Sequence, residues 1–401
     1  MRVLAYVYPG WHSIPERDEA FYPGFTEWDL VDSSAPRFDG HVQPRLPLWG
    51  RYDDRDPVAV ERSVALCRDH GVDGLVYGFF WCRGKRVFQD ALDHGFLGCA
   101  SGGRFPFALM WANRMPRRVL PVRRTDTPVI EADRLVPSDV DDFVQLVRYL
   151  AERYFVRENY LRVDGRAYFS IFDSTFFVKE LGVDGARAAI VAARAMLASA
   201  GLPPLHLAAI EPNAELAPRV RDLGFDSVTN YVLLPDWKGA FLQDFRERVA
   251  IRVKEWPQIA ARVGLPYHPS VCPGWDASPR GADFRETGEA RPEKYPWWPV
   301  VVGEHPDHFR DFVAQAVAYA RGSGLTDDAQ LVFVASLNEW SEGHYLEPDT
   351  RFGTKWIEAV RDGRRARASR EEWGHERSED RGSAHDEAAE PEGRAGPSEQ
   401  Q

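Results

Sequence analysis

The sequence predicts a single (β/α)₈ barrel, a TIM barrel, with long loops after strands 1, 3 and 7. Three observations carry this. Strand-like and helix-like segments alternate eight times within about 360 residues. Long segments follow three of the strands (Pro9–Asp56, Ala112–Pro137 and Pro273–Pro306), whereas helix-to-strand connections are short, such as Gly71 or Gly201–Pro204. An open doubly wound sheet usually carries a Gly-rich phosphate turn after its first strand, and here that strand runs into "PGWHSIP".

Taken in order, the strands are expected at Val3–Tyr8, Val72–Phe80, Phe105–Trp111, Arg166–Phe172, Leu205–Ile210, Phe225–Tyr231, Tyr267–Cys272 and Gln330–Ser336. Each is a short apolar or β-branched run. The first helix runs from Asp56 to His70, with Asp as N-cap and Pro57 in the first turn. Further helices are expected at Ser138–Arg153, Val183–Ala200, Leu216–Leu223, Phe241–Val263, Asp307–Arg321 and Thr354–Asp362. The barrel then occupies residues 1–363. The tail, Arg364–Gln401, carries ten Asp/Glu against seven Arg and almost no aliphatics. It is expected to be disordered, because it has too little apolar surface to offset ordering.

Composition narrows the function. A formal net charge of −11 argues against a nucleic-acid binder. The N-terminus lacks a signal-peptide core, and no run reaches the roughly 20 apolar residues of a membrane span. The four cysteines, Cys67, Cys82, Cys99 and Cys272, form no C-x-x-C pair and no zinc spacing. Reduced thiols and a cytoplasmic location are the expectation. Oligomeric state is not readable.

In a barrel, residues just past the strands gather at one mouth, where active sites are built. Here they are Trp81, Trp111, Asn113, Glu211, Tyr231, Trp275, Asp276 and Arg280. The last strand ends in "NEWSEGHYLEPD", adding Asn338, Glu339, Trp340, Glu342, Tyr345 and Glu347. Aromatic platforms, amides and paired carboxylates suit a carbohydrate. Glu339 and Glu342 are three apart, so in a helical turn they share a face. Carboxyl groups about 5–5.5 Å apart belong to retaining glycosidases. Glu-x-x-Glu alone is common on solvated helices; its place after the last strand, between aromatics, sets this pair apart. Other motifs have plainer readings. Asp54–Asp56 ("DRD") has the form of a metal-binding D-x-D, but Asp56 reads as a cap. His305 and His308 read as a helix start, and Cys272 as packing. No metal ligand set, no cofactor fingerprint, no P-loop and no G-x-S-x-G are present.

The segments "IPERDEAFYPGFTEW" (Ile14–Trp28), "FDGHVQPRLPL" (Phe38–Leu48), "MWAN" (Met110–Asn113), "PGWDASPRG" (Pro273–Gly281) and "NEWSEGHYLEPD" (Asn338–Asp349) together resemble the WbsX family, which is similar to glycoside hydrolase family 99. The resemblance covers about residues 3–360. It implies a (β/α)₈ barrel and a retaining mechanism on an α-linked, mannose-like glycoside. It further implies Glu342 as general acid/base and Glu339 as the base that activates a substrate 2-hydroxyl. Members are also described as glycosyltransferases of polysaccharide synthesis, which is the alternative, along with a catalytically silent carbohydrate-binding barrel. One departure stands out. After "WAN" the family continues with Glu-Asn-Trp and a basic pair, and this chain has Arg114-Met115-Pro116-Arg117-Arg118.

Overall fold

The structure, a computed structural model, describes residues 1–113, 139–284 and 293–366. Eight parallel strand positions close a barrel whose buried interior packs Tyr6, Tyr168, His206 and His268 around Phe333. The strands are Arg2–Val7, Gly74–Cys82, Phe107–Trp111, Arg166–Ile171, Leu205–Ile210, Ser227–Thr229, a seventh in two pieces (Tyr267–His268 and Ser270–Val271), and Leu331–Val334. The break in the seventh strand falls at Pro269, which has no N–H for the ladder. The first piece pairs with the sixth strand (Tyr267 opposite Val228), the second with the eighth (Ser270 opposite Phe333). The eighth pairs with the first, Arg2 opposite Leu331. All eight expected strands are present, shifted by a few residues at their ends.

The helices show two informative differences. Helix Ser174–Ser199 starts well before the expected Val183, capped by Asp173, whose carboxylate accepts the Phe176 N–H at 2.7 Å. Gly182, at φ 72°, breaks it in the middle. The aromatic and β-branched first half, "STFFVKEL", hid its helical character in the sequence. Leu242–Asp244, expected as helix, pairs instead with Val300–Val302. Helix Phe245–Val263 then starts on the Asp244 cap. Asp56 caps helix Pro57–Asp69 as anticipated, accepting from the Val58 N–H.

The last helix, Lys355–Arg365, runs past the expected boundary at 363. Arg364 is part of the fold: its guanidinium donates to the Gly71 carbonyl at 2.6 Å and to Asp73 at 2.5 Å. The charged tail from residue 367 on lies outside the described residues, as does the segment Arg114–Arg118. The long first loop carries two short helices, Pro15–Ala20 and Glu27–Ser33. Among the described residues, no helix is long and apolar enough to cross a membrane.

Candidate active site

The segment after the eighth strand makes a tight antiparallel hairpin, Asn338–Glu339 against His344–Tyr345. Gly343 turns it at φ 72°, and a Cβ there would sit 3.0 Å from the Asp276 backbone nitrogen. Glycine is therefore required on both counts. The Asn338 side chain brackets Tyr8 of the first strand, accepting from its N–H at 2.9 Å and donating to its carbonyl at 3.1 Å. Glu339 and Glu342 are thus held on a buried, pinned turn. Both open onto a cavity of about 550 Å³.

Arg280 joins the two carboxylates. Its Nη1 donates to Glu342 Oε1, and its Nη2 to Glu339 Oε1 at 3.1 Å. Its Nε donates to Glu27 Oε1 at 2.7 Å. Glu27 is in turn held by Arg17 at 3.0 Å and by the Ser341 hydroxyl at 2.6 Å. Glu339 also accepts from the Tyr231 hydroxyl. Glu342 accepts from the Tyr295 hydroxyl at 2.8 Å and faces His344 Nε2 at 3.1 Å.

The two glutamates titrate apart. Burial and then repulsion from Glu342 push the Glu339 carboxyl above its ordinary value. Burial opposes ionisation of Glu342 as well, but Arg280 and His344 outweigh it and hold that carboxyl down at about 2. Across the cavity, Glu211 has the uncommon backbone φ of 49° and accepts the Tyr231 N–H at 3.1 Å. Glu211 is reached by solvent through the cavity. Even so, the surrounding protein pushes its carboxyl up to about 7, mainly by desolvation.

Carboxylate and imidazole atoms of Glu339, Glu342 and His344 lie within 4.8 Å of one another, as do those of His12, Asp53 and Asp54. In the first group Arg280 already supplies the positive charge. In the second, Arg55 holds Asp53 at 2.6 Å and His12 pairs with Asp54 at 2.5 Å. We assign a metal to neither.

Residues 3–360 match the family described as glycosyltransferase WbsX. The chain belongs to that family. An uncharacterized protein WxcX from Xanthomonas campestris pv. campestris is 29% identical over 375 residues, covering 90% of this chain and 49% of the relative. The chain therefore spans about half the length of the curated relatives it matches. Its fold is also similar to a family 99 endo-α-mannosidase from Bacteroides thetaiotaomicron, at TM-score 0.53 and 14% identity, covering 90% of this chain and 95% of that one. A glycoside hydrolase-like protein gives TM-score 0.55 at 13% identity, with 91% and 94% covered. The barrel of this WbsX-family chain is thus glycoside hydrolase-like.

The expected site residues divide into two groups. Glu211, Tyr231, Trp275, Arg280, Glu339 and Glu342 line the cavity. The others sit behind its wall. Side chains alternate along a strand, so Phe80 and Met110 face the cavity while Trp81 and Trp111 point the other way. Trp81 donates to Asp142 at 2.9 Å, and Trp111 packs on Phe143 and Phe177. Asn113 splices two strand ends through both backbone groups of Asp173. Asp276 anchors the first loop, accepting from Gln43 at 2.6 Å and meeting His41 at 2.7 Å. Despite its burial, those contacts and Arg45 hold its carboxyl well below the usual range. Trp340 stacks on Tyr345 at 3.7 Å and donates to Glu347 at 3.0 Å; Glu347 also accepts from Tyr52 and Ser63. Asn338 is the pin described above. Cys272 is buried, which pushes its thiol up, so it is packing and no nucleophile.

Sequence reasoning missed His344, Tyr295, Arg17 and Glu27. A signal was present for each. His344 lies inside "NEWSEGHY", Tyr295 inside "EKYPWWP", and Arg17 and Glu27 inside "IPERDEAFYPGFTEW".

Proposed function

We propose that this chain is a carbohydrate-active enzyme that cleaves or transfers an α-linked, mannose-like glycoside with retention of configuration. The observation that carries the reading is the pair of buried glutamates, with carboxylate oxygens within 4.8 Å of each other on the wall of an aromatic cavity. Such proximity favours the short separation of retaining enzymes, roughly 5–5.5 Å, over the wider one of inverting enzymes. The activity of the similar barrel, endo-α-mannosidase, supports the substrate class.

The chemistry follows from what each carboxylate meets. The Tyr295 hydroxyl now donates to Glu342. A glycosidic oxygen in that place would accept instead, which draws a proton onto Glu342 and makes it the acid. A sugar 2-hydroxyl beside Glu339 would donate, as Tyr231 now does. That favours the ionised form of Glu339, the state of a base. Binding would thereby move one proton from Glu339 to Glu342. Trp275, stacked on His344 at 5.6 Å, supplies an aromatic wall next to the pair.

The family name favours a second reading, transfer from an activated donor. Among the described lining residues, Asp173, Glu211, Glu293, Glu339 and Glu342 face only Arg280 and Lys294. That balance is poorly suited to a nucleoside diphosphate.

The test is turnover of α-mannosides by wild type, Glu339→Gln and Glu342→Gln, with the product anomer followed by NMR. Each variant should lose about 10²–10⁴ in rate. A leaving group that needs no protonation should restore the first step in Glu342→Gln alone. An inverted product, or full activity in Glu339→Gln, would overturn the assignment. Turnover only with a sugar nucleotide would favour the second reading.

A further inference from the structure

A network of buried charges runs from the cavity wall into the protein behind it. Arg17 and Glu27 are 0% exposed, Arg280 3%, Glu339 5% and Glu342 7%. Arg17 donates to Glu27 Oε2, and Arg280 spans from Glu27 Oε1 to both catalytic carboxylates. Two guanidiniums therefore face three carboxylates. With these five groups ionised, the set carries one net negative charge. An uncompensated charge among buried side chains is costly. One bound proton removes it.

Glu27 is a poor place for that proton, because arginines grip both its oxygens and Ser341 adds a donor. Glu342 is also well supplied with partners, since the Arg280 guanidinium and the Tyr295 hydroxyl donate to it and His344 Nε2 lies 3.1 Å away. Glu339 has one Arg280 contact, the Tyr231 hydroxyl, and His344 at a more distant 3.7 Å. It is the remaining acceptor.

We infer that Glu27 is a positioning residue which, through Arg280, obliges the Glu339/Glu342 pair to hold one proton at neutral pH. The catalytic meaning of that proton rests on the function proposed above; its presence does not. Glu27 does not itself line the cavity and reaches it through Arg280. Its charge acts at one remove. Remove that charge and two guanidiniums balance two carboxylates with no proton needed. The raised Glu339 carboxyl agrees with this count, since burial and Glu342 both push it up.

The groups facing this system come from several elements. Tyr8 of the first strand accepts from Arg17 at 2.6 Å, and its ring lies 5.2 Å from the Arg280 guanidinium. Tyr231 follows the sixth strand, Cys272 and Arg280 the seventh, Tyr295 lies further along, and His344 is on the hairpin itself. The cysteine and tyrosines among them are pushed above their ordinary values, chiefly by burial, and stay protonated near neutrality.

The experiment is infrared difference spectroscopy of the full chain without ligand, titrated from pH 5 to pH 8. Isotope-labelled glutamate identifies the carboxyl band. Wild type should show one protonated glutamate persisting to neutral pH, and Glu339→Gln should lose it. Glu27→Gln should move that titration down by about one to three pH units, the usual reach of a nearby charge. Glu27→Asp, which keeps the charge, should restore it. A purely structural role for Glu27 would lower stability in both variants and leave the titration in place. No protonated glutamate in wild type, or a folded Glu27→Gln with an unmoved titration, overturns the inference. Neither result depends on activity. The spectrum therefore stands apart from a failure of the glycosidase reading.

Discussion

Replacing Glu342 by Gln should alter acid stability in a calculable way. The side chain is 10% exposed, and its carboxyl is held at about 2 against an ordinary value of 4.5. A tenfold change in proton affinity between the folded and unfolded chain corresponds to about 1.4 kcal/mol. Ionised Glu342 therefore contributes on the order of 3 kcal/mol above pH 4.5. The folded value is depressed, so the contribution is present above the unfolded value and lost as pH falls toward the folded one. Between pH 4.5 and pH 3 it should drop from about 3 to about 1.5 kcal/mol. Burial and Glu342 raise the Glu339 carboxyl above its ordinary value, so its own titration adds little below pH 4.5. The assay is urea unfolding of wild type and Glu342→Gln at pH 4.5, 4 and 3. Other carboxylates cancel in the difference between the two proteins. A wild-type advantage that stays constant over this range would refute the reasoning, because Glu342 would then carry its proton in the native protein before any glycoside arrives.

Trp111→Ala should destabilise the fold by about 3–5 kcal/mol, the usual cost of emptying a buried aromatic site. It should leave sugar affinity intact in the fraction that stays folded; selective loss of binding would return Trp111 to the cavity. Removing residues 367–401 should leave the melting temperature within about a degree, since that stretch has few apolar side chains. Removing 364–401 should cost about 1 kcal/mol more, through the Arg364 bonds to Gly71 and Asp73. Scanning calorimetry of the two truncations distinguishes them, and equal melting points would show that Arg364 anchors nothing.

The barrel was legible because its strands are compact apolar runs at regular spacing, and Leu205–Ile210 was read to the residue. The glutamate pair stood out as a candidate because its polar cluster follows the last strand directly, and both side chains line the cavity. Which neighbouring aromatics face the cavity was not. That depends on strand parity, and a one-residue ambiguity at a strand end exchanges Phe80 for Trp81 or Met110 for Trp111. The charge network was hidden for a different reason. Glu27 and Arg280 are 253 residues apart, and no local pattern links them. Asp276 and Glu347 are polar residues with full sets of internal partners. In a sequence they look the same as residues awaiting a ligand.

Asn338 gripping both backbone groups of Tyr8 has a consequence for how the protein is made. The two residues are 330 positions apart, and the first strand finds its eighth-strand neighbour only at Leu331. At about 5–20 residues per second, a ribosome needs roughly 16–66 s to bridge that gap. During that interval one edge of the first strand has no ladder partner, and exposed edges invite pairing with other chains. The pocket's floor cannot exist on a nascent fragment that stops short of the hairpin carrying both glutamates. A product truncated before Leu331 would therefore lack both glutamates and leave that edge of the first strand unpaired.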